Sequence, residues 1–323
     1  MSRSGETIAI RDFRKSDLED LLELLPRCFA QEFEVTGFDP DHARDMVNQT
    51  FGRRARLLFS FLRVFGREPI KFLVAASGNR VIGTTMVSSQ GRVAYISTVM
   101  VHPDYRRRGV ATALVRSALD YVRRRRMSRA VLHVVSTNSP AYGVYSKLGF
   151  KEFERVVNML GDTASIATGS KPGDVMSRPY RQGDEDEVCD LVRASEDPEH
   201  MRVFEFSKRD LRPLFWFRSF HIATQTRYVS VQDGKIVGSV LATYTTPKET
   251  GSIGTLYVSP SDRSRGVEEA LVDAAVNEMR GSGIGRVRAV VSANRKELIV
   301  LLKHLGFSES ITLAGMSREA QGS

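Results

Sequence analysis

Residues 95–150 read YISTVMVHPDYRRRGVATALVRSALDYVRRRRMSRAVLHVVSTNSPAYGVYSKLGF, and the reading of this stretch decides the rest. Tyr95 to Val101 is an apolar run of strand character that meets a turn at His102-Pro103-Asp104-Tyr105. Arg106-Arg107-Arg108-Gly109-Val110-Ala111 follows. Apolar positions at Val110, Ala113, Leu114, Ala118, Tyr121 and Val122 then predict a helix. A glycine-bearing loop that opens a helix straight after a strand is a prepared anion site. The free N–H groups of the first turn and the positive end of the helix dipole converge on one spot. Gly109 and Ala111 keep that spot free of bulk, and the arginines add charge around its rim.

Working outward, Ala130 to Val135 reads as a β-branched strand, Asn138 to Leu148 as a short helix ended by Gly149, and Phe150 to Leu160 as a strand. Upstream, Ile8 to Arg11 is a short strand. A helix follows, with Ser16 as its N-cap, Leu18, Leu21, Leu22, Leu24 and Leu25 on its apolar face, and Pro26 kinking it. Asp39-Pro40-Asp41 starts a second helical segment. It continues through Phe51 to Phe65 with a stripe of Leu57, Leu58, Phe61, Leu62 and Phe65 flanked by Arg53, Arg54, Arg56, Arg63 and Arg67. Such a basic amphipathic helix can lie on a membrane or a partner, but packing into the core is the favoured reading. Lys71 to Ala76, a turn at Gly78-Asn79 and Val81 to Ser88 form a hairpin.

The stretch resembles the Gcn-type N-acetyltransferase (GNAT) superfamily. The acetyl-CoA signature Arg/Gln-x-x-Gly-x-Gly/Ala is matched by Arg106, Gly109 and Ala111. The second signature follows at the expected distance as Asn138, Ala141, Tyr145 and Lys147-Leu148-Gly149-Phe150. The element order β-α-α-β-β-β-α-β-α-β is the one this fold uses.

After Gly161 the pattern starts again. Ser177 to Asp184 echoes Ile10 to Asp17, and Thr255 to Pro260 echoes Thr98 to Pro103. Arg263, Gly266, Gly306 and Phe307 fall a constant 157 residues after Arg106, Gly109, Gly149 and Phe150. A constant offset argues for an internal duplication. The expected fold is therefore α/β (α+β), with two tandem GNAT-like domains, each a mixed, mostly antiparallel central sheet flanked by helices. The expected boundaries are residues 1–162 for the first domain, 163–174 for a linker of turn formers, and 175–323 for the second domain. The second copy departs from the pattern: Glu268 replaces the small Ala111, Leu302 takes the place of Tyr145, and Asn294 is one residue out of register with Asn138. A carboxylate beside a diphosphate is repulsive, so the second copy is expected to be degenerate and the first to be catalytic. In tandem enzymes resembling mycothiol synthase the second copy does the chemistry, which is the rival arrangement.

The resemblance implies an acetyl-CoA-dependent N-acetyltransferase. It would move an acetyl group to a primary amine, on a peptide N-terminus or a small molecule, by direct attack on the thioester. It assigns the diphosphate to the amides of Arg107, Arg108, Gly109, Val110, Ala111 and Thr112, with side-chain contacts from Arg106 and Arg108. It assigns the pantetheine arm to the strand edge at Val99, Met100 and Val101, and the polarised thioester carbonyl to an N–H near Val99. Tyr145 protonates the leaving thiolate, and Asn138 holds the loop or the pantetheine amides, or caps its helix. Read without the resemblance, Tyr145 is more readily a packed tyrosine on a short helix, given its apolar neighbours Ala141, Val144 and Leu148. The general base is open. Many relatives place a Glu where this chain has Tyr95, and no Asp or Glu lies between Tyr95 and Val101. Water, a backbone carbonyl, Glu32, Glu34 and His133 are the candidates.

Composition sets outer bounds. With 323 residues, 41% hydrophobic and 26% charged, the chain suits two globular domains. No apolar run approaches the ~20 residues of a membrane span, and MSRSGETIAIRDF lacks a signal-peptide core, so a cytoplasmic location is expected. Cys28 and Cys189 read as separate thiols, and no metal site is expected. The net charge of +9 favours anionic partners, of which acetyl-CoA is one. A CoA-binding regulator without turnover, and a basic scaffold for nucleic acid or ribosomes built on Arg123 to Arg126, are the rivals from other classes.

Overall fold

The computed structural model of the chain describes residues 7–28, 70–169, 175–204, 206, 208–211, 224–244, 250–263 and 265–320. The expected helical insert between Cys28 and Glu68, with Glu32, Glu34 and its arginine-flanked stripe, lies outside the described residues. Two compact units divide the chain. One comprises Met1–Glu152 together with Gly315–Ser323, and the other Phe153–Ala314.

In the first unit, β1 (Ile8–Asp12) leads into α1 (Leu18–Cys28), whose Leu18, Leu21, Leu24 and Leu25 are buried at helical spacing. Ser16 is not the cap. A 3₁₀ turn at Lys15–Asp17 precedes α1, and Asp17 accepts from the Arg14 N–H at 2.7 Å. Asp17 also takes both Arg11 guanidinium nitrogens, at 2.6 and 2.9 Å. β1 pairs antiparallel with β2 (Ile70–Ser77), β2 with β3 (Arg80–Gln90), and β3 with β4 (Val93–Val101). β4 pairs parallel with β5 (Arg129–Val135) through α2 (Val110–Arg124). Leu114, Val115, Ala118 and Val122 of α2 are fully buried. Gly83 permits the close approach: a Cβ there would sit 2.7 Å from the Met100 carbonyl and 3.2 Å from Leu114. α3 (Ser139–Lys147) follows β5.

The second unit repeats this plan with β7 (Met176–Pro179), α4 (Glu185–Ser195), α5 (Pro198–Phe204), β8 (Thr224–Gln232), β9 (Lys235–Tyr244), β10 (Thr250–Val258), α6 (Val267–Gly281), β11 (Arg286–Ser292) and α7 (Lys296–His304). The likeness reaches individual bonds. Asp184 takes Arg178 at 2.7 and 2.9 Å and the Arg181 N–H at 2.7 Å, as Asp17 takes Arg11 and Arg14. The 157-residue offset also relates backbone conformations: positive φ occurs at Thr98 and Thr255, Gly109 and Gly266, Arg126 and Gly283, Gly149 and Gly306.

The C-terminal strands of the repeats do not follow the repeats. β6 (Lys151–Asp162) belongs to the second unit from Phe153 on, where Val156 to Asp162 pair antiparallel with Ser292 to Arg286 of β11. β12 (Ser308–Glu319) belongs to the first unit from Gly315 on. There the Ala320 N–H donates to Ser128 O at 2.9 Å, Arg318 donates to Leu148 O at 2.6 Å, and Glu319 pairs with Arg129. Residues 163–169, read from sequence as the start of a linker, pack onto the second unit: Arg280 Nε donates to Thr163 O at 2.9 Å, and Ile166 is buried.

Candidate active site

Two backbone irregularities prepare a site in the first unit. The first is a bulge in β4. Thr84 faces Met100 and Met86 faces Ser97, so Thr98 and Val99 together oppose the single residue Thr85. Thr98 carries the strain of a positive φ of 55°. The second is a fork. β4 and β5 are paired at Val93, Ala94 and Tyr95, and the pairing stops there although β4 runs on to Val101 and β5 to Val135. Val99, Met100 and Val101 therefore lie on a strand edge that β5 no longer covers, which is what an extended, amide-bearing ligand needs.

The turn after β4 is braced from within. His102 caps a 3₁₀ turn at Pro103–Tyr105 by accepting from the Asp104 N–H at 3.3 Å, and Arg106 Nε donates back to Val101 O at 3.3 Å. Arg108 stacks its guanidinium 5.1 Å from the Tyr105 ring centroid. Arg107 and Gly109 both have positive φ, 61° and 78°. Gly109 is the N-cap of α2 and supplies no capping side chain, and the first turn holds no acidic residue. None of the described residues lies within 4 Å of a Cβ placed on Gly109, so its left-handed backbone, rather than crowding among them, demands glycine. The amides around Val110, Ala111 and Thr112 thus receive no capping side chain from Gly109, an arrangement suited to an anion.

Asn138 is the N-cap of α3, and its Oδ1 accepts from the Ala141 N–H at 3.1 Å. The side-chain amide nitrogen is not used in that bond. Tyr145 is buried, its ring set edge-on to Phe150 at 6.2 Å. Burial pushes its phenol up to about 12, and its hydroxyl makes no hydrogen bond among the described residues. It therefore stays protonated at neutral pH and available as a donor.

The same backbone in the second unit carries different side chains. β10 is bulged in the same way, with Thr255 and Leu256 opposing Val240, and Gly266 caps α6 at φ 83°. The first turn of α6, however, holds Glu268 and Glu269. Glu268 is buried and lies 3.7 Å from the guanidinium of Arg295. Arg295 stands 157 residues after Asn138, at the start of α7, and donates to Leu256 O at 2.6 Å. Leu256 is the counterpart of Val99. The strand edge and the helix start, open in the first unit, are thus occupied by one arginine and one glutamate. Sequence comparison singled out Asn294; the 157-residue offset, applied strictly, points to Arg295. Arg263, the counterpart of Arg106, donates instead to Ser195 O at 3.2 Å. Tyr257 replaces Met100, and burial raises its phenol above the usual range.

One arrangement was visible in the sequence only as separate residues. Tyr95 of β4 and His133 of β5 are hydrogen-bonded through the phenol hydroxyl and Nδ1, with their rings stacked at 5.7 Å. They sit where the two strands part. Among the described residues there is no group of three or more His, Cys, Asp or Glu side chains that could hold a metal, and no helix long and apolar enough to cross a membrane.

Comparison with known proteins bears on the family and the fold. The profile of the acetyltransferase (GNAT) family matches residues 18–150 and again residues 189–307. An uncharacterized N-acetyltransferase of Methanocaldococcus jannaschii is 30% identical over 162 residues, which is 48% of this chain and 66% of that protein. A mycothiol acetyltransferase of Parafrankia sp. is 25% identical over 284 residues, 78% of this chain and 84% of that protein. Among solved structures, a tandem GNAT protein from the clavulanic acid biosynthesis pathway covers 98% of this chain and 100% of its own, with a TM-score of 0.67 at 16% identity. A GCN5-related N-acetyltransferase from Sphaerobacter thermophilus gives the same TM-score and identity over 98% and 96%. At that identity these structures speak for the fold.

Proposed function

The chain belongs to the acetyltransferase (GNAT) family, and from that premise we propose that its first unit transfers an acetyl group from acetyl-CoA to a primary amine, on a peptide N-terminus or a small molecule. The observation that carries this reading is the contrast at one position of the fold. The bulged strand, left-handed glycine and acid-free helix start of the first unit are open, while their counterparts in the second unit hold Glu268 and Arg295.

Acetyl-CoA supplies an activated thioester. The chain's own groups do the rest. The amides from Arg107 to Thr112 receive the diphosphate on the positive end of α2. Arg106 is engaged with Val101 O and braces the turn more than it reaches outward. The uncovered edge at Val99, Met100 and Val101 pairs with the pantetheine amides, and the amide at the Val99 bulge donates to the thioester carbonyl oxygen. Asn138 caps α3 with its oxygen and offers its amide nitrogen to the arm. Tyr145 donates its hydroxyl to the sulfur as the carbon–sulfur bond breaks. Burial holds its phenol up at about 12, so the group is neutral and its hydroxyl serves as the donor to the sulfur.

The relatives named mycothiol acetyltransferase keep a rival in view, with chemistry in the second copy. The ion pair across its helix start opposes that rival. Calorimetric titration of the full chain with acetyl-CoA separates the two. One site, lost in Gly109→Glu, is expected, followed by acetyl transfer to members of a panel of unblocked peptides, amino acids and alkyl amines. Two sites, or one that survives Gly109→Glu, would move the chemistry to the second unit. Binding without turnover across the panel would leave a CoA-binding regulator.

A further inference from the structure

An ammonium group cannot attack a thioester until it loses a proton, and β4 offers no carboxylate between Tyr95 and Val101. What β4 offers instead is Tyr95, placed at the last paired position before the fork, where it faces Val131 of β5. Residues two apart on one strand share a face. His133 therefore lies on the same face as Val131, one step further into the fork, and its Nδ1 meets the Tyr95 hydroxyl. Both rings are half-buried. On β4 the next residue of that face is Ser97, whose Oγ is buried and has no hydrogen-bond partner among the described residues. Ser97 opens the bulge that carries Val99. A phenol hydroxyl and an imidazole thus meet at the fork, and a buried serine hydroxyl lies on the same face of β4, nearer along the strand to the amide assigned to the thioester carbonyl.

We propose that Tyr95 and His133 act together as the general base that deprotonates the acceptor amine, with Tyr95 touching the amine and His133 accepting the proton through it. The proposal rests on the reading of the first unit as an amine acetyltransferase.

The direction of the hydrogen bond follows from the groups. A phenol is the better donor and a neutral imidazole nitrogen the better acceptor, so Tyr95 donates to Nδ1 and the imidazole proton sits on Nε2. In the reaction, the proton of the ammonium passes to Tyr95 Oη as the hydroxyl proton of Tyr95 passes to His133 Nδ1. The amine is left with a free lone pair, Tyr95 remains a neutral phenol, and His133 becomes imidazolium and returns its proton to solvent. No phenolate is formed. The proton acceptor of the pair is the imidazole rather than a phenolate. An α-amine, with a pKa of about 7.7–8.0, is deprotonated by such a pair more readily than a lysine side chain at about 10.4.

The test uses the full chain, with acetyl-CoA and two probes: an unblocked peptide lacking lysine, and an Nα-blocked peptide with one lysine. Tyr95→Phe is expected to lower kcat at least tenfold on whichever probe turns over, and more on the lysine probe, while the Kd for acetyl-CoA stays within about twofold. His133→Gln keeps an acceptor for the phenol but cannot take its proton, so it should fall as far. Adding Tyr95→Glu to His133→Gln places a carboxylate, which needs no relay, at the fork; activity should recover at least tenfold over His133→Gln alone. Nitrogen NMR of the resting protein gives a readout free of turnover: the Nδ1 resonance of His133 should show a hydrogen-bonded acceptor and move in Tyr95→Phe. An unmoved resonance, or an unchanged kcat in Tyr95→Phe, overturns the pair while leaving the transferase reading intact. A wild-type chain that binds acetyl-CoA and acetylates neither probe nor any panel amine overturns both.

Discussion

The turn at Arg106–Ala111 and the turn at Arg263–Glu268 share one backbone and differ in what they can hold. Both follow a bulged strand with a positive-φ threonine, both pivot on a left-handed glycine, and both launch a 15-residue helix. The buried positions of the two helices coincide as well, Val110, Leu114, Val115 and Ala118 in one, Val267, Leu271, Val272 and Ala275 in the other. Fold in this chain is thus written in the glycines, the bulge and the apolar stripe, all of which survive duplication. The binding capacity proposed for the first copy rests on the first helical turn and the cap of the next helix, where Ala111 and Asn138 correspond to Glu268 and Arg295.

The largest effect should come from making the first turn like the second. Ala111→Glu puts a carboxylate where the diphosphate is proposed to lie, and the Kd for acetyl-CoA measured by calorimetry should rise at least a hundredfold with little loss of thermal stability. The reverse exchange sharpens the comparison. Glu268→Ala with Arg295→Asn removes both occupants together, so neither is left buried and unpaired. Stoichiometry should move from one toward two while turnover is unchanged, because Leu302 still stands at the place of Tyr145.

Next in size is Tyr145→Phe. Loss of the hydroxyl should lower kcat about tenfold and leave acetyl-CoA affinity nearly unaltered, a split that steady-state kinetics and calorimetry read together. An unchanged kcat would reduce Tyr145 to a packing residue beside Phe150.

The two copies should be alike where the fold is concerned. Arg11→Ala and Arg178→Ala each remove a bidentate contact to a carboxylate, Asp17 and Asp184, and each should cost about 2 kcal/mol in denaturant unfolding. In Asp17 burial works against the charge, but Arg11 and the Arg14 amide outweigh it and hold the carboxyl below its usual range. In Asp184 the Arg178 bond leads, with the same net direction. A depressed carboxyl stabilises the fold above its unfolded value of ~3.9, and that stability fades as pH falls through the lower folded value. Both deficits should therefore shrink in acid. A deficit in only one copy would break the symmetry.

The smallest expected effect is at His200, whose Nδ1 lies 2.7 Å from Glu154 within the second unit. Burial lowers its basicity, yet Glu154 outweighs burial and the net direction is upward. Stability from a raised histidine is full below about 6.5 and is lost as pH rises through its folded value. The melting temperatures of the wild type and His200→Gln should therefore differ more at pH 6 than at pH 8.5.

Much of this was legible in the sequence because it is local. Strand, turn and helix around Gly109 depend on residues a few positions apart, and the repeat multiplies the signal. What was not legible depends on distance. Residues 163–169 look like a linker until Arg280, more than a hundred residues on, grips Thr163. The bulges fall on threonine, which carries no turn signal. Tyr95 and His133 are 38 positions apart and meet only because β4 and β5 lie side by side. The ownership of β6 and β12 could not be read at all, since an apolar strand does not specify which of two similar units it joins.

That last feature bears on how the protein is made. Residues 315–320 complete the first unit, and they are the last of the described residues to be synthesised. The ribosome releases domains in order, and an N-terminal domain ordinarily folds while the rest is still being built. Here the first unit must wait for codons 315–320, with its last strand position open throughout the translation of the second. A chain stopped after the second repeat's helix α7 would leave the first unit unfinished, although it is made before the second.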